Sequence, residues 1–206
     1  MMSSSPNDPA RRRALIGVTA ALIALAAGAA PARALSEAEA KALVDQVVAD
    51  INAIIASGKP EREMYRDFEQ IFARYGYVDG IARTVLGPPA RRASRAEMQA
   101  FTRAFQAYMG RKYGKRFREF IGGRVIVEKA RKIKSFYEVT TTAILAGEPP
   151  FTVTFMVSDV SGRGLFFDML IEGISLLKVE KSEIGAMLDR RRGNLARLIE
   201  DLERAG

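Results

Sequence analysis

From residue 36 onward the apolar positions recur first with the period of a helix and later with the period of a strand. Leu43, Val44, Val47, Val48, Ile51, Ile54 and Ile55 fall on one helical face. Ser36 stands before them as an N-cap, with Glu39 three residues on to complete a capping box. Gly58 and Pro60 end this helix. Met64, Phe68, Ile71 and Phe72 mark a second helix over about 61–74, broken at Tyr75-Gly76-Tyr77. A short third helix over about 78–86 turns Ile81, Val85 and Leu86 inward, and Gly87-Pro88-Pro89 stops it. Ser94 with Glu97 is a second capping box. It opens a long helix to about Tyr113, with Met98, Phe101, Phe105, Tyr108 and Met109 on its apolar face.

After Gly122-Gly123 the period becomes two. Strand-like runs cover 125–133, 136–145, 151–157 and 164–172, separated by loops rich in Gly, Pro and Ser. In the last run Leu165, Phe167, Met169 and Ile171 alternate with Phe166, Asp168, Leu170 and Glu172. Both faces are largely apolar, which predicts a central strand covered on both sides. The run stops at Gly173 and passes into a closing helical segment. Residues 182–204 read as two helical pieces broken near Gly193-Asn194. Helices, then a strand meander, then helices predict an α+β domain with a twisted, four-stranded, mostly antiparallel sheet.

Residues 1–34 have a different character. Arg11, Arg12 and Arg13 precede a charge-free apolar run from Leu15 to Ala30, and Ala32-Arg33-Ala34 fits the small-x-small cleavage rule. The segment reads as a cleavable export signal, and the arginines before Ala14-Leu15 resemble a twin-arginine signal. The apolar run is about 16 residues, short of the roughly 20 that a membrane span needs. Cleavage after Ala34 leaves one domain, 35–206. It removes four arginines and one aspartate, so the net charge falls from +8 to about +5.

Composition narrows the chemistry. The 206 residues include no cysteine and no histidine. That removes disulfides, thiol nucleophiles and the commonest general base and transition-metal ligand. No phosphate loop, nucleophile elbow or metal-ligand cluster is visible, and no cofactor is implied. Asp168 and Glu172 share one strand face, but strand spacing sets them about 13 Å apart, wide for a joint acid–base site. The plainer reading pairs Asp168 with a nearby Lys or Arg and uses Glu172 to cap the helical segment after Gly173. An enzyme with either acid as base is the alternative. The basic stretch Arg111, Lys112, Lys115, Arg116, Arg118 and Arg124 is interleaved with Tyr113, Phe117 and Phe120. A nucleic-acid track has this pattern, but an exported chain argues against nucleic acid. These residues are candidates for meeting an anionic head group or a docking partner.

The bulky apolar positions suggest a further use. Tyr137, Val139, Phe155, Val157, Phe167, Met169 and Ile171 are the strand positions expected to face inward, with Phe72, Leu86, Phe101, Phe105 and Tyr108 from the helices. Together they form a candidate apolar pocket; a plain solid core, with the basic stretch as a docking face, is the alternative. A lipid would need a deep, dry site. Two acyl chains of ~30 methylenes left in water cost on the order of 20 kcal/mol.

Asp168-Met169-Leu170-Ile171-Glu172-Gly173-Ile174-Ser175-Leu176 resembles the signature of the MlaC family, the periplasmic phospholipid carriers also known as toluene-tolerance auxiliary proteins of an ABC transport system. Ile81-Ala82-Arg83-Thr84-Val85-Leu86-Gly87, then Arg92-Ala93-Ser94 and Gln99-Ala100-Phe101, resemble the family's upstream motif. Leu195, Leu198, Ile199 and Leu202 resemble its closing helix. The chain departs from the family at Glu180-Lys181, where Tyr-Arg is usual, at Ile184, where Phe is usual, and in having no tryptophan. The resemblance implies a mixed, highly twisted sheet closed by helices into an apolar pocket for acyl chains, with the head group at its mouth. It also implies a periplasmic location and carriage without chemistry. The partners it implies are a phospholipid, an inner-membrane ABC lipid-transport complex and an outer-membrane lipoprotein complex. A hopanoid or other apolar lipid is the alternative cargo within the family.

Overall fold

In a computed structural model the described residues are 34–206, apart from the side chains of 116–118. Residues 1–33, and with them nearly all of the expected export signal, lie outside this range. Among the described residues are helices α1 (Glu37–Ala56), α2 (Glu61–Tyr75), α3 (Val78–Leu86), α4 (Arg95–Gly114), α5 (Leu176–Arg190) and α6 (Leu195–Arg204). The strands are β1 (Arg124–Ile133), β2 (Phe136–Ile144), β3 (Phe151–Ser158), β4 (Leu165–Ile171) and the two-residue β5 (Ile174–Ser175). Short 3-10 turns cover Pro88–Arg91 and Lys115–Phe120.

Local chemistry explains most boundaries. Both expected capping boxes form, Ser36 with Glu39 on α1 and Ser94 with Glu97 on α4. They satisfy backbone donors that a helix start otherwise leaves orphaned. The helical segment expected after Gly173 and the first helical piece expected from 182 are one helix, α5, which begins at Leu176 because the Ser175 side chain accepts from the Lys178 amide and caps it there. Asn194 caps α6 in the same way.

The sheet is a five-stranded antiparallel meander in the order β1-β2-β3-β4-β5, not a mixed sheet. The fifth strand escaped the sequence because it is two residues long. It follows a tight hairpin in which both Glu172 (φ 48°) and Gly173 (φ 80°) take positive φ, as the two-residue turns favoured by twisted strands require. Strand β4 is therefore not central; only β5 lies beyond it. Its two apolar faces serve helix packing, with α3 and α5 against it and Tyr77 donating its amide to the Phe166 carbonyl at 2.8 Å. Gly76 makes that crossing feasible, since a Cβ there would sit 2.7 Å from the Phe72 carbonyl and 3.2 Å from the Phe166 ring.

Two apolar cores result. The sheet-side core packs α1 and α2 on β1–β4, with Val44, Val139 and Val157 fully buried. The helix-side core joins α3 to α6, with Phe101, Phe105, Ile184, Leu198 and Leu202 fully buried. Half-buried Phe72 touches both.

Candidate functional site

Where the two cores meet, two narrow apolar slots lie side by side. The first encloses about 50 Å³ between α2, α3, α4, β4 and α5, and its wall includes Phe105, Phe167, Leu177 and Glu180. The second encloses about 80 Å³ between α1, α2, α4, β3 and β4, and includes Val47, Ile71 and Phe155. Phe72, Met109, Phe166 and Met169 line both, so a wall of soft side chains is all that divides them. The first slot also shares Ile81, Phe167 and Leu177 with an open groove of about 310 Å³ beside Phe136 and Val160. Slots and groove thus lie next to one another in a row, separated by shared side chains. Edge-on ring contacts stiffen it, Phe72 to Phe105 at 6.3 Å and Phe155 to Phe166 at 5.8 Å.

The sequence-derived pocket residues divide between this row and the cores. Phe72, Phe105, Phe155, Phe167 and Met169 line it. Leu86, Phe101 and Tyr108 sit in the helix-side core, and Tyr137, Val139 and Val157 in the sheet-side core. Ile171 is half-buried at the end of β4. Strand parity failed at one place. The pairing of β3 with β4 runs Phe155 to Met169, Met156 to Asp168 and then Val157 to Phe166, so a bulge skips Phe167. The extra residue returns Phe166 to the core face beside Met169. Phe167 turns to Phe136 instead, ring centroids 5.6 Å apart. Sequence reasoning missed Phe166 for this reason. It also missed Met109 and Leu177, which the helical stripe and the β4–α5 stretch had already singled out.

The acids beside the row have structural partners. Asp168 accepts from the Ser175 hydroxyl at 2.6 Å and from the amides of Met169 and Leu177 at 2.8 and 2.9 Å. It pins the start of α5, instead of pairing with a lysine or arginine. Glu172 accepts from the Thr152 amide near the start of β3, so it caps a strand and not the helix.

A polar cluster joins α4 to α5. Lys112 Nζ donates to Glu180 Oε1 at 2.7 Å and to Glu183 Oε2 at 2.5 Å. Tyr113 donates its hydroxyl to Glu180 Oε1 at 2.6 Å, and Tyr108 to Glu183 Oε1 at 2.9 Å. Burial opposes the Lys112 charge, but the hydrogen bonds to Glu180, Glu183 and Tyr108 outweigh it and hold its pKa above the ordinary lysine value. The same Lys112 bond holds Glu183 below the usual carboxylate range. Burial pushes both tyrosine hydroxyls up, and for Tyr113 the bond to Glu180 adds to it.

Lys112 is thus already engaged, as are two other members of the basic stretch. Arg111 donates to the carbonyls of Ala205 and Leu202 at 2.8 and 2.5 Å, closing the end of α6. Lys115 donates to the Gly206 carbonyl at 2.6 Å. Arg124 is exposed at the start of β1. The side chains of Arg116 and Arg118 fall outside the described ones. Among the described residues no group of three or more acids is placed to hold a metal ion, and no helix is long and apolar enough to cross a membrane.

The family model described as MlaC protein matches residues 41–204. None of the curated proteins matches the chain in sequence. Among solved structures, the chain is similar to the phospholipid-binding protein from Ralstonia solanacearum, determined in complex with a phospholipid. The TM-score is 0.69 at 19% identity, covering 80% of this chain and 95% of that one. At that identity the likeness speaks for the fold.

Proposed function

The chain belongs to the MlaC family, and from that premise we propose that it is a non-catalytic periplasmic carrier of phospholipid. It would pass lipid between an inner-membrane ABC-type complex and an outer-membrane lipoprotein complex. The observation that carries this reading is the row of apolar slots whose shared wall is Phe72, Met109, Phe166 and Met169. A row of that kind offers acyl chains a dry surface and offers a polar substrate almost nothing.

The slots enclose about 50 and 80 Å³, while sites for ligands of this size run to several hundred Å³. The described form is therefore closed, and loading requires the two cores to part along the slots. The sheet-side core is tied to α1 by Asn52, whose side chain donates to the Val125 carbonyl at 3.0 Å and accepts from its amide at 2.9 Å. The helices α3 and α5 reach the sheet through β4 and β5, so they are the ones placed to move.

Export with cleavage after Ala34 belongs to the same proposal. The Leu35 amide donates to the Asp159 carboxylate at 2.8 Å, and its carbonyl accepts from the Tyr137 hydroxyl at 2.6 Å. A chain starting at Leu35 would turn the first contact into an ion pair with the new α-ammonium.

Native mass spectrometry of residues 35–206 purified from the periplasm, followed by organic extraction, tests the carrier. A one-to-one adduct that extracts as phospholipid is the expected result. A hopanoid mass would keep the carrier and replace the cargo. A clean unliganded mass, with no uptake from labelled vesicles, would overturn the reading.

A further inference from the structure

Glu180 is 1% exposed, and only one of its two carboxylate oxygens is used. Oε1 receives Lys112 and Tyr113, while Oε2 is buried with no hydrogen-bond partner. A buried acceptor left unpaired is unfavourable, more so when charged. The residue lines the first slot, whose other walls are almost wholly apolar. Glu180 thus borders the space that an occupant of the slot would fill, with an unpaired carboxylate oxygen buried beside it.

The surroundings define what would satisfy it. The cluster holds one ammonium, Lys112, against two carboxylates, Glu180 and Glu183, so it carries one negative charge. Exposed Arg190 acts on Glu183 only through space. The other acid on the slot, Asp168, has its oxygens taken by Ser175, Met169 and Leu177. A phosphate would meet an acceptor and a net negative charge here. A donor, above all a cationic one, would complete the carboxylate. The cluster also leads outward: Lys112 is about one-quarter exposed and Glu183 nearly half. A head group held there would keep a path to water while its chains lay in the slots.

We propose that Glu180 Oε2 is a head-group subsite on the α4–α5 seam that selects lipids with an N–H or O–H donor, primary-ammonium lipids first. This rests on the carrier reading and adds a specificity to it. It also reverses the role expected of Lys112, which orients the carboxylate instead of meeting a phosphate.

The test loads lipid-stripped protein from vesicles of equal parts phosphatidylethanolamine, phosphatidylglycerol and phosphatidylcholine with identical acyl chains. Bound lipid is then extracted and identified by mass. Phosphatidylcholine is the control, since its ammonium has no hydrogen to donate. The expected result is about tenfold enrichment of phosphatidylethanolamine over phosphatidylcholine, the factor one charge-assisted hydrogen bond supplies. In Glu180→Gln, checked for native fold by circular dichroism, the ratio of phosphatidylethanolamine to phosphatidylcholine in the bound lipid should fall to about one. Equal enrichment of phosphatidylglycerol would support the site with hydroxyl donors included. Equal uptake of all three by the unaltered protein would overturn the inference and leave the carrier standing, with a trapped water as the partner of Oε2. A folded Glu180→Gln protein with undiminished selection would overturn it too. No uptake of any lipid would overturn the carrier reading itself.

Discussion

The sheet-side and helix-side cores bury similar apolar side chains but are closed off differently. The first is sealed by aliphatic contacts between α1 and the sheet and by the paired hydrogen bonds of Asn52 to Val125. The second ends, at its edge with α5, in a partly buried ionic cluster whose Glu180 has one oxygen unsatisfied. Close-packed aliphatic cores are stiff and pay heavily for any change in volume. A seam built from methionine, phenylalanine rings and one imperfectly satisfied carboxylate has less to lose on opening. The second slot is walled mainly by sheet-side core residues, among them Val47, Ile71 and Phe155, while the first borders both cores through Phe105 and Phe166.

The largest expected contrast comes from placing the same charge on either side. Val139→Asp puts a carboxylate at a fully buried position of β2 and should lower stability by more than ~4 kcal/mol. Urea denaturation would read it, and a folded, near-native variant would break the comparison. Phe167→Asp alters a half-buried residue on the slot and groove. It should leave the protein folded and cut extractable lipid at least about tenfold; unchanged lipid content would remove the row from the binding site.

Asn52→Ala is the next step down. Loss of both bonds to Val125 should cost about 1–3 kcal/mol. It should also raise amide exchange in β1 and α1 more than in α5, and uniform exchange would argue against separate cores.

Smaller effects follow from pH at the α4–α5 seam. Glu183 is held below its ordinary value, near 4.5. Its contribution is present above that pH and lost as pH falls through the depressed folded value. Lys112 is held above its ordinary value, near 10.5. Its contribution is present below that pH and lost as pH rises through the raised folded value. Hydrogen exchange should therefore loosen α5 at both extremes before α1. The smallest change expected is from Asp159→Asn. In a chain starting at Leu35 it should remove about 1 kcal/mol or less. In a chain that keeps residues before Leu35 the loss should be smaller still, and equal thermal shifts in the two would separate Asp159 from processing.

All the helices, and every strand but the two-residue β5, were legible in the residues because they depend on neighbours a few positions away. Ser36 with Glu39, Ser94 with Glu97, the run of two-residue periodicity and the break at Gly173 act over three or four residues, and each stands where the pattern put it. Which apolar residues would line a slot depended on tertiary contacts. One bulge opposite Val157 brought Phe166 to the face of Met169 although Phe167 also lines the first slot, because strand parity carries no memory across an unpaired residue. The basic stretch looked available for partners, yet Arg111 reaches a carbonyl 94 residues away and Lys112 a carboxylate 68 residues away. The unpaired oxygen of Glu180 likewise exists only where α4, α5 and β4 meet. Local order is written in short-range hydrogen bonding and periodicity. Burial and pairing are properties of segments that the chain brings together only when it folds.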